Sequence, residues 1–259
     1  MSDLIPKGQG AQRNVINRFD RYTFEPEDYE LDKIKTQVTE VFPKTIINVL
    51  KSPDLAMDYS MNPYQGCEHG CSYCFARPTH EFWGYSAGID FERKLMVKKN
   101  APQLLEKAFQ KKSYVPKPIM LSANTDCYQP IERQFEITRK LLQVCLDYRH
   151  PVSIITKNAL ILRDLDILEK MAEKNLISVN MSIPTLNEDL RRVMEPRTST
   201  AKNKLKAIEV LSEKNIPVNV MIAPVIPALT SDESLSIMKS VSQAGARSCG
   251  YTLVRLNDT

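Results

Sequence analysis

The most informative segment of this chain is MNPYQGCEHGCSYCFARP (Met61–Pro78), which holds three cysteines with the spacing C-x3-C-x2-C. These cysteines are Cys67, Cys71 and Cys74. Thiolates this close together can bind three corners of a cuboidal iron–sulfur cluster, because thiolates are the usual protein ligands of such clusters. No fourth cysteine lies nearby, so one iron would stay open to coordinate a small molecule. The spacing therefore predicts redox-initiated chemistry at a catalytic cluster.

Zinc is the competing interpretation of the same cysteines, since His69 or His80 would complete a tetrahedral site. Structural zinc sites are usually built from two ligand pairs separated by a loop, and here the second pair is missing. A third interpretation makes the cysteines ordinary core residues, but glycine and polar residues surround them. The spacing thus favours the cluster over zinc, and zinc over a purely structural role.

Composition and charge narrow the class of protein. The chain has 259 residues, enough for one α/β-barrel domain or two small domains, and its 42% hydrophobic and 25% charged content is ordinary for a globular protein. The sequence has no run of eighteen apolar residues, so no membrane-spanning helix is predicted. The N-terminal segment lacks the apolar centre of a signal peptide. Six cysteines, three of them in a metal-type cluster, predict a reducing cytoplasmic location. A net charge of +4 permits nucleic-acid binding without arguing for it.

The polarity pattern divides the chain into an arm and a core domain. Residues 1–40 are polar and poorly periodic, so we predict an extended N-terminal arm that is partly disordered or packed as a strap. Its aromatic and charged segment 17–30 would either pack on the domain or bind a partner. Residues 41–259 form the predicted core domain, and residues 39–50 read as strand material leading to the cysteine loop.

After the cysteine loop, predicted strands and helices alternate. The strands cover residues 118–123, 151–157, 176–183, 216–226 and 246–256, and the helices cover 100–110, 131–148, 163–175, 199–215 and 231–245. Asn100 is the expected N-cap of the first of these helices, and Ser199 or Thr200 is the expected N-cap of the helix over 199–215. The last helix is expected to end at Gly245. With one more strand at the cysteine loop, the pattern predicts about six strand–helix units in a parallel sheet covered by helices.

Several motifs resemble one known family. The pattern C-x3-C-x-aromatic-C, with Tyr73 as the aromatic residue, resembles the signature of radical S-adenosylmethionine (radical SAM) enzymes. The segments ANTDCYQP, IITK, VNMSI, MEPRTST and MIAPVIP follow in the order seen in spore photoproduct lyase-like, or DNA repair photolyase-like, proteins. CEHGCSYCFARPTH and NTDCYQPIE resemble an uncharacterised bacterial branch of that group. The resemblance covers about residues 40–256 and implies a partial (β/α)6 TIM-like barrel.

The resemblance implies two cofactors, a 4Fe–4S cluster on Cys67, Cys71 and Cys74, and S-adenosylmethionine (SAM) on its open iron. One electron would then cleave SAM to methionine and a 5′-deoxyadenosyl radical, which abstracts hydrogen from the substrate. In such barrels the chemistry lies at the carboxyl ends of the strands. The residues that match SAM-contacting positions of the family lie at or near these ends: Tyr73, Asn124, Thr125, Asp126, Lys157 and Ser182.

Each of these positions has its own implied role and a structural alternative. Tyr73 would lie against the adenine, or else pack within its loop. Residues 124–126 would bind the SAM amino group, which needs acceptors, or else form a strand-end turn. Lys157 would meet the SAM carboxylate, and Ser182 would contact the bound SAM. For Lys157, the alternative is an ordinary solvated side chain.

Other residues near these positions have open roles. Arg197, in the segment 195–198, would either pair with an anionic substrate group or brace its own loop. Pro224 and Pro227 bracket the end of the fifth strand and predict a rigid turn. Trp83 and His80 follow the cysteine loop, where a packed loop is favoured over contact with cluster or substrate. His150 precedes a strand at the opposite end of the barrel, so we expect a structural role there.

Two departures from the lyase pattern argue against repair of spore photoproduct. The lyase cysteine that returns a hydrogen atom corresponds to Ala123 here, and Cys127 is nearby but out of register. Phe75 stands where the lyase has a tyrosine after its third cluster cysteine. Trp83 is the only tryptophan, and no flavin-binding pattern supports light-driven repair.

Three functional hypotheses follow. The leading one is a radical SAM enzyme acting on an unidentified substrate, with nucleic acid as a candidate and a reductant such as flavodoxin or ferredoxin as electron donor. The second is modification of a peptide or protein, although Cys127, Cys145 and Cys249 are too scattered for the extra clusters that such relatives often carry. The third is a zinc-stabilised nucleic-acid-binding module without catalysis. Because family members usually continue past the sixth strand, we also expect this chain to be a fragment or a minimal form.

Overall fold

The computed structural model of the protein describes residues 10–11, 15, 36–50 and 57–255. Most of the predicted N-terminal arm, residues 1–40, lies outside this part, so its predicted disorder or strap packing and the arm–core boundary stay predictions. The strands are β1 (Gln37–Val41), β2 (Asn48–Val49), β3 (Tyr59–Met61), β4 (Tyr64–Gln65), β5 (Lys94–Lys98), β6 (Ile119–Leu121), β7 (Val152–Thr156), β8 (Ile177–Ser182), β9 (Val218–Val225) and β10 (Ser248–Leu253).

Eight α-helices lie between these strands in the described part of the chain. They are α1 (Asp90–Arg93), α2 (Ala101–Phe109), α3 (Glu132–Phe135), α4 (Ile137–Asp147), α5 (Leu165–Ala172), α6 (Glu188–Met194), α7 (Ala201–Glu213) and α8 (Ser234–Gln243). Short 3-10 helices occupy Arg77–Trp83, Ala159–Asp164 and Ser231–Glu233.

The main sheet contains the six parallel strands that the alternating pattern predicts. Its order is β10-β9-β8-β7-β6-β3-β2, and all neighbours are parallel except the β2–β3 pair. Within the residues described, no ladder joins β10 to β2, so the sheet is open. Parallel strands direct their carboxyl ends to the same edge, which brings the loops after β3, β6, β7, β8 and β9 together. This architecture confirms the predicted partial α/β barrel.

The core lies between the sheet and its covering helices. Alternate residues of β7, β8 and β9 are buried there, among them Ile154, Val179 and Val220. The intervening residues point to the opposite face of the sheet, since side chains alternate along a strand. Several of these are polar, and Asn180 Nδ2 donates to Ser153 Oγ at 2.9 Å. The inner face of the partial barrel is therefore partly polar.

A second, three-stranded sheet supports the cysteine loop. Its order is β1-β5-β4, with β1 parallel and β4 antiparallel to β5. Strand β4 ends one residue before Gly66, and the chain then enters the cysteine segment. The expected strand material in residues 39–50 is thus divided between β1 in the small sheet and β2 at the edge of the main sheet.

The helix predicted over residues 131–148 is broken in two, which corrects the sequence prediction. Glu136, with a φ of 51°, separates α3 from α4. The buried carboxylate of Glu132 accepts hydrogen bonds from the backbone N–H groups of Thr138 (3.0 Å) and Arg139 (3.4 Å). These donors would otherwise be unsatisfied in the first turn of α4, so Glu132 caps the second helix. Hydrophobic periodicity alone does not reveal such a cap.

Helix caps agree with the sequence at two of three positions. Thr200 Oγ1 accepts a hydrogen bond from Asn203 N (3.2 Å) and caps α7, and Gly245 follows α8 with a φ of 92°. Asn100 stands before α2, but its side chain donates to Pro43 O (3.1 Å) instead of capping the helix. Helix α6 was not predicted; Asn187 Oδ1 accepts from the N–H groups of its first turn.

Gly10 fits against the cysteine loop with no room for a side chain. A Cβ atom at Gly10 would lie 1.9 Å from Gly70 O and 2.7 Å from Ser72 N, both of which are backbone atoms. Beside it, Ala11 N donates to Glu92 Oε1 at 2.8 Å, and Val15 exchanges two hydrogen bonds with Ser86 Oγ. These described residues of the N-terminal segment therefore cover the loop between Cys67 and Cys74.

Gly10→Val is expected to detach this segment, because the added side chain collides with backbone that has no freedom to yield. Tryptic cleavage after Arg13 should become faster than in the wild type, as followed by mass spectrometry of intact chains. Gly250→Ala is the matched control, since its Cβ would meet only Met221 Sδ at 3.6 Å. Equal cleavage rates for Gly10→Val and the wild type would contradict the contact.

His80 is buried in the 3-10 helix that follows the cysteines. Its ring stacks on Tyr85, with centroids 5.2 Å apart, and meets the edge of Phe91 at 5.5 Å. Burial lowers the pKa of His80 to about 4, although the nearby Asp90 acts in the opposite direction. The favoured expectation of a packed loop agrees with this contact set.

The burial of His80 makes stability depend on pH. Unfolded histidine binds a proton near pH 6.5 and the folded side chain does not until about pH 4, so stability falls as pH decreases through this window. Between pH 7 and pH 5 the loss from this one group is about 2 kcal/mol. Urea unfolding of the metal-free protein should show a shallower pH dependence for His80→Phe. Parallel pH profiles for the two proteins would refute the assignment.

Candidate active site

The cysteine loop is suspended between strand β4 and helix α1. Cys67 N donates to Phe91 O at 2.8 Å, and Gln129 holds the loop from the other side by donating to Gly66 O (3.1 Å) and accepting from Glu68 N (2.9 Å). Gly66 has a φ of 77°, and a Cβ there would lie 2.9 Å from Phe91 O. Only glycine suits this turn, because its φ is positive and the backbones approach closely.

The three cysteines of the loop are free thiols in the folded chain. Cys67 and Cys71 are buried, Cys74 is partly buried, and Cys74 packs against the small apolar group of Cys67, Ala76 and Phe91. Burial raises the pKa of all three thiols, and the neighbouring thiols contribute in the same direction for Cys67 and Cys71. Thiolates in this position therefore need a compensating positive charge, which a bound metal centre provides.

The donor set fits a multi-metal cluster and gives no support to the zinc alternative. Among the described residues, no three His, Cys, Asp or Glu side chains are arranged to hold one metal ion. A cluster binds each thiolate to a different iron, so its ligands need not converge on one point. His69 Nε2 lies 3.2 Å from Asn158 Nδ2, and its Nδ1 lies 3.4 Å from Asp126 Oδ2. His80 is enclosed by aromatic rings.

Lys157, immediately after β7, is the centre of the polar network beside the cysteines. Its ammonium group lies 2.8 Å from Glu195 Oε1 and donates to Ser182 Oγ (2.8 Å), Tyr73 OH (3.1 Å) and Ala223 O (3.2 Å). Burial acts to lower the pKa of Lys157, but the negative charges around it, Glu195 foremost, together raise the pKa. Lys157 is thus a charged group of the interior and not a solvated surface lysine.

Glu195 lies between two lysines. Its second carboxylate oxygen, Oε2, is 3.1 Å from the ammonium of Lys204, and the Tyr73 hydroxyl donates to Oε1. Burial alone would raise the pKa of Glu195, but the two ammonium groups hold it well below its usual range. The same burial and the Glu195 charge raise the pKa of Tyr73, so its hydroxyl keeps its proton.

The predicted group at residues 124–126 makes mainly structural contacts. Asp126 accepts from Thr156 Oγ1 (2.8 Å), Lys157 N (2.7 Å) and Tyr128 N (2.8 Å), and so joins the ends of β6 and β7. Thr125 Oγ1 donates to Tyr64 O at 2.8 Å, and Asn124 N donates to the Asn62 side chain at 2.9 Å. Their role toward SAM stays a prediction.

Tyr73, Lys157 and Ser182 therefore meet directly, while Asn124, Thr125 and Asp126 lie at the adjoining strand end. Asp126 links the two sets of residues, because its carboxylate accepts a hydrogen bond from the backbone N–H of Lys157. Within the second group, Asn124 and Asp126 are partly exposed and Thr125 is buried.

A second buried ion pair braces the outer side of the loop. Arg77 donates to Cys71 O (2.7 Å) and Glu92 Oε1 (2.6 Å), so it ties the second cysteine to helix α1. Arg197 donates its backbone N–H to His69 O at 3.2 Å and its guanidinium lies 3.5 Å from Glu92 Oε2. Two roles were left open for Arg197, pairing with an anionic substrate group and bracing its own loop. These contacts support the bracing role.

The remaining singled-out residues lie where the sequence suggested. His150 is buried at the amino end of β7, bonded to Tyr114 OH (2.7 Å) and stacked on Phe109, away from the cysteines. Pro224 follows Ala223, whose carbonyl accepts from both Lys157 Nζ and Ser182 Oγ (3.1 Å).

The sequence reasoning missed Lys204, Gln129 and Asn158 as parts of the site. A signal existed for Lys204, since it falls on the buried stripe of α7 with Ala201, Ile208 and Leu211. A lysine at such a position needs a buried partner. Nothing in the local pattern distinguishes Gln129 or Asn158 from ordinary loop residues.

The part of the chain that the structure describes contains no helix both long and apolar enough to cross a membrane.

Comparison with known proteins identifies the family. Residues 61–241 match the sequence profile of the Radical SAM superfamily. An uncharacterised protein of Mycobacterium tuberculosis is 34% identical over 210 residues, which cover 80% of this chain and 62% of that protein. An uncharacterised protein of Methanocaldococcus jannaschii is 31% identical over 199 residues, 77% of this chain and 71% of that protein. The chain thus spans about three fifths of the mycobacterial relative's length.

Solved structures agree at the level of the fold. A spore photoproduct lyase mutant with bound AdoMet and dinucleoside spore photoproduct superposes with a TM-score of 0.67 and 15% identity, over 92% of this chain and 69% of that one. Streptococcus suis SuiB bound to S-adenosylmethionine gives a TM-score of 0.53 and 12% identity, over 77% and 39% of the two chains. Together with the profile match and the cysteine loop, these similarities show that the chain belongs to the radical SAM superfamily.

Proposed function

We propose that this protein is an iron–sulfur enzyme that reductively cleaves SAM and abstracts hydrogen from its substrate. The observation that carries the proposal is the position of two buried thiols and one partly buried thiol beside a charged, largely enclosed lysine at the carboxyl edge of a parallel sheet. Membership of the superfamily implies a 4Fe–4S cluster and SAM. Cys67, Cys71 and Cys74 would hold the cluster, whose fourth iron is left for SAM.

When bound, the cluster and SAM supply one-electron cleavage of a carbon–sulfur bond and a 5′-deoxyadenosyl radical that abstracts hydrogen. The chain's own residues bind and orient SAM. Lys157 is suited to bind the SAM carboxylate, because hydrogen bonds to Ser182 Oγ and Ala223 O hold its ammonium beside the three cysteines. Tyr73 would lie against the adenine, and Asn124 and Asp126 would accept from the SAM ammonium. Burial around the thiols excludes water from the reaction.

We further propose a nucleic acid as the substrate. Phe75, Phe82 and Trp83 follow the third cysteine and are 58%, 72% and 42% exposed, so they offer apolar rings on which bases can stack. A spore photoproduct lyase of the same fold binds a dinucleoside photoproduct. SuiB, a structural neighbour, binds a precursor peptide, which keeps a peptide substrate as the second candidate. A small reducing protein such as flavodoxin or ferredoxin would deliver the electron.

Repair of spore photoproduct by the lyase route is not part of this proposal. Ala123 has no thiol from which a hydrogen atom could be returned, and Phe75 has no phenol. Cys127 is fully buried in the main hydrophobic core, and burial raises the pKa of its thiol. A thiol in that position does not reach a substrate, so the hydrogen-return path must differ from that of the lyase.

Anaerobic reconstitution with iron and sulfide tests the proposal. The wild type should bind about four irons per chain, become brown and form 5′-deoxyadenosine from SAM and dithionite. Cys71→Ala should lose most of the iron and all of the product. Cys249→Ala, an exposed thiol on β10, is the matched control and should behave like the wild type. A colourless wild-type protein that binds zinc and leaves SAM intact would disprove the proposal.

The Glu195 network generates a separate prediction about stability. Glu195→Ala leaves the buried ammonium groups of Lys157 and Lys204 without a counter-charge, so we expect a loss of about 3–5 kcal/mol in the free energy of unfolding. Glu209→Ala removes an exposed pair with Lys206 and should change stability little. Urea unfolding of the metal-free proteins measures both. Equal midpoints for the two variants would show that Glu195 does not balance buried charge.

A further inference from the structure

We propose that Lys204 is a positioning residue. It forms an ion pair with one carboxylate oxygen of Glu195 and so keeps the Lys157 ammonium available for a carboxylate ligand. The inference rests on the proposed function, since the ligand in question is the carboxylate of SAM. It assigns a role to a residue on helix α7 that no sequence motif suggested.

The position of Lys204 is unusual for a lysine. Its side chain is 1% exposed and lies on the buried face of α7, in line with Ala201, Ala207 and Ile208. The ammonium lies 3.1 Å from Glu195 Oε2, its closest described ion-pair partner. Burying a charged group costs free energy unless a partner compensates it, and an apolar side chain would fill the same space without that cost. A functional reason for the charge is therefore needed.

Holding the shape of the 195–198 turn is not that reason. Arg191 donates to the backbone carbonyls of Glu195 (2.8 Å) and Thr198 (3.2 Å), and Thr198 Oγ1 donates to Glu195 O at 3.0 Å. These bonds fix the backbone of the turn without Lys204. Lys204 contributes a positive charge next to Oε2 of the Glu195 carboxylate.

Charge balance explains the consequence. Lys157 and Lys204 share one carboxylate through different oxygens, so the three groups together carry one net positive charge. Without Lys204, Glu195 would neutralise Lys157, and the ammonium would have little attraction left for a second carboxylate. Asp126, the other acidic side chain at this edge, accepts from Thr156 Oγ1 and two backbone N–H groups, and its charge is the same with and without Lys204. Lys204 thus sets the charge that an incoming carboxylate meets.

The test compares a ligand that carries the carboxylate with one that lacks it. Binding of SAM and of 5′-methylthioadenosine to the anaerobically reconstituted protein is measured by equilibrium dialysis. Lys204→Met should weaken SAM binding about tenfold or more, because charge-assisted contacts to a carboxylate are lost. Methylthioadenosine binding should stay within about twofold. Lys206→Met, an exposed lysine on the same helix, is the matched control and should leave both affinities unchanged.

A charge-balanced double variant keeps the test decisive if Lys204→Met folds poorly. Combining Glu195→Gln with Lys204→Met removes both opposite charges and restores one net positive charge on Lys157, so SAM affinity should return to within about threefold of the wild type. Failure of the double variant to bind SAM better than methylthioadenosine would overturn the inference. So would Lys204→Met weakening both ligands equally, since that indicates a structural role. If the wild type with a full cluster does not bind SAM, the proposed function itself fails.

Discussion

The burial of Glu195 between two lysines is the interaction on which the candidate site depends. A carboxylate removed from water is tolerated only when opposite charges and hydrogen-bond donors surround it, and Lys157, Lys204 and Tyr73 meet that requirement. The three side chains come from the cysteine loop, the end of β7 and helix α7. One buried charge therefore fixes three separate parts of the chain relative to the thiols, and a single carboxylate determines both the geometry and the electrostatics of the site.

The open parallel sheet supplies the place for this network. Because its strands end at one edge, side chains more than a hundred residues apart in sequence, such as Tyr73 and Glu195, become neighbours. The small sheet and Gln129 hold the cysteine loop over that edge from two sides. The described part of the N-terminal segment closes the outer side through Gly10 and Ala11. The thiols are thus surrounded by elements from several parts of the chain.

The site also differs from that of the lyase whose fold it shares. The hydrogen-returning thiol has no counterpart at Ala123, and the nearby Cys127 belongs to the core. The exposed rings of Phe75, Phe82 and Trp83 follow the cysteine loop, where we propose that the substrate stacks. The proposed radical-generating centre with a changed substrate side is consistent with relatives that are 34% and 31% identical to this chain over the aligned residues. Fold and cofactor are shared across such a family, while the reaction is set by the residues that face the substrate.

The sequence by itself determined the family and the alternation of strands and helices, and it predicted the cysteine ligands, because spacing and periodicity are local properties that survive without coordinates. It also identified Tyr73, Lys157 and Ser182, since each stands in a motif or directly at the end of an apolar strand. Only the tertiary structure revealed the break at Glu136, where a buried Glu132 caps the following helix, and the partnership of Lys204 with Glu195. Both depend on which charged side chains are buried together. That is decided when distant segments pack and exclude water, and no local pattern of residues encodes it.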